Sequence, residues 1–138
     1  MNAYLDSSVV LRKVLGAPGQ LREWSRIKRF VSSALLTVEC HRTIDRLRVM
    51  EPLSDEQFAL RVETIQKTLL NVELVAVSEL VLDRASGSFP LPLKTLDAIH
   101  LATAVLWRDR EDRNVVFATH DKHLGLVARM TGFNVLGR

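Results

Sequence analysis

Five short apolar segments, at residues 3–5, 30–31, 72–77, 114–118 and 133–136, are separated by stretches whose apolar residues recur at helical spacing. This alternation constrains the fold more than any other feature of the chain. Strands joined through helices return to the same edge of a sheet in the same direction, so the pattern predicts a largely parallel sheet covered on both faces. The fold class expected is therefore α/β, a sandwich of helices around a mainly parallel sheet of about five strands. With 138 residues, one domain spanning 1–138 with one core is the natural reading.

The helical segments carry their own punctuation. Val9, Val10, Leu11, Val14 and Leu15 form a short helix ended by Gly16-Ala17-Pro18-Gly19, and residues 21–26 suggest a second. Residues 33–50 suit one long helix that Pro52 stops. Ser54 followed by Gln57 has the form of a capping box opening the next helix, to Leu69. Residues 79–85 read as a helix and 87–92 as a loop. Thr95 is the expected cap of a helix over 96–107 that is apolar on nearly every face and so belongs in the core. A last helix runs from Asp121 to Met130.

Composition excludes some functions. No apolar run approaches the roughly 18 residues needed to span a bilayer, and no basic segment followed by an apolar stretch opens the chain, so neither a membrane protein nor a secreted one is expected. The single cysteine, Cys40, cannot form an internal disulfide, which fits a cytoplasmic protein. Nineteen Lys+Arg against sixteen Asp+Glu give +3, a weak bias toward polyanionic partners.

Sites in open parallel sheets form beyond the carboxyl ends of strands, where strand order reverses. Asp6 lies just past the first strand and Asp121 just past the fourth; Asp97 opens the buried helix, and Glu39 borders the apolar stripe of the long helix. Each has a plainer explanation: Asp6 and Asp121 as helix caps, Asp97 as a complement to a helix dipole, Glu39 as a solvated helix residue. Jointly they suggest a carboxylate cluster, whose mutual repulsion a divalent cation relieves, and oxygen-only donors suit Mg²⁺, with Mn²⁺ as a substitute. Other residues point to packing. His100 reads as a hydrogen-bonded core histidine, Cys40 as a small core residue, and Trp24 and Trp107 as packing aromatics. His120 and His123 lack the further ligands of a zinc site, and the Gly16–Gly19 stretch lacks the Lys-Ser/Thr of a phosphate loop.

Four segments, Tyr4-Leu5-Asp6-Ser7-Ser8-Val9-Val10, Ser32-Ser33-Ala34-Leu35-Leu36-Thr37-Val38-Glu39, Leu96-Asp97-Ala98-Ile99-His100-Leu101-Ala102-Thr103-Ala104 and Val116-Phe117-Ala118-Thr119-His120-Asp121, resemble those of PIN-domain nucleases, and among them the VapC toxins. The resemblance runs nearly end to end; residues 51–88 match only in helical character. It implies that Asp6, Glu39, Asp97 and Asp121 are the acidic positions, with Ser8 and Thr119 as their polar companions; His120 stands where a bulkier residue is usual. It further implies Mg²⁺-dependent RNA hydrolysis leaving a 5′-phosphate and a 3′-hydroxyl, a homodimer, and a cognate antitoxin whose segment occupies the groove. In that scheme Asp6 and Asp97 ligate the metal directly, Asp121 directly or through water, and Glu39 orients or deprotonates the nucleophilic water. Arg12, Lys13, Arg42 and Arg46 are near enough in sequence to line the groove for phosphates, or else form solvated helix faces.

A phosphorylation-controlled receiver domain also carries acids at parallel strand ends. Here Asp6 is followed by serines rather than a second acid, and Ser78 rather than Asp follows the third strand. A non-catalytic PIN-like scaffold is the other alternative.

Overall fold

The computed structural model describes residues 1–137. The elements run β1 (Asn2–Leu5), α1 (Ser7–Val14), a single 3₁₀ turn (Trp24–Arg26), β2 (Arg29–Ser33), α2 (Leu35–Met50), α3 (Asp55–Leu69), β3 (Val72–Val75), α4 (Glu79–Ala85), α5 (Thr95–Arg110), β4 (Val116–Ala118), α6 (Lys122–Met130) and β5 (Val135–Leu136). Among the described residues the sheet has five strands, ordered β3-β2-β1-β4-β5, and every pairing is parallel. The expected α/β sandwich is the fold found. A receiver-like order, 2-1-3-4-5, is not.

The sheet divides two apolar layers, and β1 shows why. Successive side chains of a strand point to opposite faces. Ala3 and Leu5 join Val9, Val10, Leu36, Cys40, Ile44 and Ile65 from α1–α3. Tyr4 joins Leu101, Ala104, Trp107, Phe117, Leu124 and Val127 on the α5–α6 side. Where a strand is buried on both faces it is apolar, as Ala3, Tyr4 and Leu5 are here.

Helix boundaries follow from identifiable bonds. The Ser54–Gln57 capping box is complete: Gln57 N–H donates to Ser54 Oγ at 3.1 Å, and Ser54 N–H to Gln57 Oε1 at 3.0 Å. α5 is buried along most of its length, including His100 and Trp107, as its composition requires. Four expectations need correction. Residues 21–26 form only the 3₁₀ turn. Thr95 is the first helical residue rather than the cap; Lys94 holds the N-cap position without a side-chain bond. Ser33 ends β2 instead of starting α2, because it pairs with Val75. β3 stops at Val75 because its partner strand ends there, the final bond running from Ala34 N–H to the Val75 carbonyl at 2.8 Å.

No helix among the described residues is long and apolar enough to cross a membrane.

Candidate active site at the carboxyl end of the sheet

Strands β1, β2 and β3 build outward in one direction from β1, and β4 and β5 in the other, so the chain reverses between β1 and β4. These two strands are neighbours, in the register Leu5↔Ala118, which brings their following residues to one crevice. Asp6 N–H donates to the Ala118 carbonyl at 2.9 Å.

Asp6 occupies the N-cap position of α1 yet makes no cap bond. Its Oδ2 instead accepts from Ser8 Oγ at 2.7 Å and from Thr119 Oγ1 at 2.9 Å. Those hydroxyls are themselves held: Ser8 Oγ accepts from His120 N–H at 2.9 Å, and Thr119 Oγ1 from Asp121 N–H at 3.0 Å. The carboxylate is thereby fixed in orientation, though only 5% exposed, and no hydrogen bond among the described residues falls on its Oδ1. Ser8 and Thr119 thus touch Asp6 from α1 and from the end of β4. Asp121 does cap its helix, Oδ1 accepting from Leu124 N–H at 2.8 Å. The capping explanation holds for Asp121 and fails for Asp6.

Glu39 is one turn into α2, a helix that starts directly after β2. Its Oε1 lies 2.5 Å from His100 Nε2, and the Tyr4 hydroxyl lies 2.7 Å from His100 Nδ1. His100 is fully buried, so both ring nitrogens are satisfied inside the protein. The core-histidine reading is right about burial, but it missed the contact with Glu39. Burial works to lower the His100 pKa, but the hydrogen bond and charge of Glu39, with Asp6 and Asp97 beyond, raise it on balance.

Asp97 sits in the first turn of α5, half-buried. Burial raises its carboxyl pKa from the ordinary 3.8, the charges of Asp6 and Asp121 push it further, and Glu39 adds to them against the opposing effect of His100. A native carboxyl that holds its proton more tightly than the unfolded one makes the metal-free protein lose stability as pH rises from about 4 through the raised value.

All four acids line one cavity of about 480 Å³, together with Ser8, Leu11, Leu35, Val38, Arg42 and Arg46. Among the described residues no group of three or more Asp, Glu, His or Cys side chains is arranged to hold a metal ion. Of the two placements open to them, Arg42 and Arg46 border the cavity, and Arg42 also pairs with Asp45. Arg12 and Lys13 do not: Arg12 donates to the Gly19 carbonyl, and Lys13 stands over the Trp24 ring. The remaining residues keep structural environments. Cys40 is buried, and burial pushes its thiol up to about 12, the charge of Glu39 adding to the effect. His123 Nε2 bonds the Pro92 carbonyl and His120 Nδ1 the Gly137 carbonyl, each at 2.7 Å.

Comparison with known proteins adds two findings. A family model described as PIN domain matches residues 3–130. The chain is also 38% identical over 104 residues to Ribonuclease VapC46 of Mycobacterium tuberculosis (strain ATCC 25618 / H37Rv), covering 73% of this chain and 72% of that protein.

Proposed function

The chain belongs to the PIN-domain family, and from that premise we propose that it is a metal-dependent endoribonuclease, the toxin of a toxin–antitoxin pair. One observation carries the reading: Asp6, Glu39, Asp97 and Asp121, drawn from four parts of the chain, line a single cavity where the strand order reverses. The name of the M. tuberculosis relative, a ribonuclease, supports the substrate class.

The donor set fits a hard dication. It is all oxygen, burial and then the neighbouring Asp6 and Asp121 charges raise the Asp97 pKa, and Oδ1 of Asp6 is not engaged elsewhere among the described residues. Mg²⁺ keeps several of its waters and binds through one or two carboxylates, so it needs no closed protein cage. Asp6 and Asp97 would hold it directly, with Asp121 direct or through water; Mn²⁺ would substitute. Bound there, the ion supplies an acidified water and charge neutralisation at the leaving oxygen.

The protein's own groups do the rest. Ser8 and Thr119 keep the Asp6 carboxylate from rotating. Glu39, fixed through Oε1 by His100, orients the attacking water and accepts its proton. Arg42 and Arg46 face the phosphate backbone. Hydrolysis by this route leaves a 5′-phosphate and a 3′-hydroxyl. The apolar rim, with exposed Val38 and Leu96, suits the apolar anchors of an antitoxin segment. A homodimer belongs to the same proposal, and exposed Leu80 and Leu82 on α4 offer apolar surface for one. One domain over residues 1–138 and a cytoplasmic location complete it.

The test is direct. The purified chain, free of other proteins, should cut labelled single-stranded RNA with Mg²⁺ or Mn²⁺, yield 5′-phosphate ends, and stop in EDTA. Cleavage that persists in EDTA removes the metal mechanism; no cleavage with either ion leaves only a binding scaffold.

A further inference from the structure

A second cavity, of about 450 Å³, lies at the opposite end of the sheet. It is lined by Lys13, Trp24, Lys28, Phe30, Lys67 and Asn71, among others, and no carboxylate lines it. Phe30 and Val72 there are paired residues at the amino ends of β2 and β3. Phe30 pairs with Ala3, three residues before Asp6, so this end lies ~10 Å from Asp6 along the strands, three residue steps at ~3.3 Å each.

The three ammonium groups come from different parts of the chain: the last turn of α1, the approach to β2, and the last turn of α3. None makes an ion pair among the described residues. Lys13 stands over the Trp24 ring at 5.3 Å, and Trp24 packs on Phe30 with ring centroids 4.8 Å apart. Helix dipoles account for cations at the ends of α1 and α3, but not for Lys28, which is on no helix. Three like charges bordering one concavity repel one another, and an anion that enters relieves the repulsion.

We propose that this cavity is a second RNA-contact site, which holds the phosphate backbone of the substrate strand away from the cleavage centre. The inference rests on RNA being the substrate. The helix ends bordering the cavity are carboxyl termini, whose carbonyls disfavour anions, so lysine side chains alone must supply the attraction. Cations spread around a cavity of this size match several phosphates of a strand better than the single compact phosphate of a free nucleotide, which is usually cradled by backbone N–H groups.

Binding of a labelled single-stranded oligouridylate in EDTA separates this site from catalysis. Lys28 and Lys67 are exposed, so K28E/K67E should fold normally, as its melting curve would show. The double variant should bind the RNA at least ~10-fold more weakly than wild type, with the log–log salt slope shallower by about 1.4, two phosphates at ~0.7 each. R113E/R129E, with the same charge change at exposed positions outside both cavities, should keep the wild-type slope. Equal affinities for the two double variants would overturn the proposal. So would UMP competing at nucleotide concentrations equal to those of the oligomer, since the site would then serve a free nucleotide. Neither result bears on whether the acids cleave RNA, which the metal-dependence experiment decides separately.

Discussion

Asp6→Asn should reduce RNA cleavage by at least ~10³-fold, equivalent to about 4 kcal/mol of barrier. The substitution removes one negative charge and almost no volume. An asparagine carbonyl oxygen can still accept from Ser8 and Thr119, whose hydroxyls stay held by His120 N–H and Asp121 N–H. The fold should therefore persist while the site loses the carboxylate proposed to hold the ion. Single-turnover rates at saturating RNA would measure the loss, and binding in EDTA should not weaken, because a repulsive charge near the phosphates has gone. A variant that cuts within a few-fold of wild type would remove Asp6 from the mechanism.

His100→Leu should lower kcat by ~10–100-fold, the usual cost of removing a group that orients a reacting carboxylate or metal ligand, with KM little changed. His100 is a positioning residue: it is fully buried, out of reach of substrate, and acts through its bond to Glu39. Its other nitrogen is anchored by Tyr4 on β1, so the central strand fixes Glu39 through the ring. Leucine fills much of the space but leaves Glu39 free to rotate, at a stability cost of ~1–3 kcal/mol. His100→Gln, which can place an amide donor near the position of Nε2, should recover part of kcat. A merely structural role would show the stability loss in His100→Leu with kcat unaltered, or no recovery with glutamine.

What could be read from sequence was whatever depends on neighbours along the chain. The apolar run of β1, the Ser54–Gln57 cap and the all-round apolar α5 each announce themselves locally, and each is present. Strand ends were misjudged because they depend on a partner far away: Ser33 is extended only because Val75 lies beside it, and residues 76–77 leave the sheet because β2 has ended. Thr95 has the chemistry of a cap, but the turn begins one residue earlier at Lys94. The site divides in the same way. The four acids could be picked out from their positions at strand and helix ends. The clamp on Glu39 could not, since it joins residues 61 and 96 positions apart. Nor could the placement of Lys13, which helical spacing put near the acids and which instead stands over Trp24 in the opposite cavity.

That four carboxylates repel one another until a dication joins them is best tested by thermal melting of the apo protein at pH 7 with rising Mg²⁺. At this pH the raised Asp97 pKa acts against the fold. Mg²⁺ at about 100 times its Kd should add ~2.7 kcal/mol, raising Tm by roughly 5–10 °C. Asp97→Asn, relieved of the repulsion, should melt ~2–4 °C above wild type without metal and respond far less to Mg²⁺. A wild-type Tm unmoved by Mg²⁺ and Mn²⁺, or an equal rise in Asp97→Asn, would contradict it.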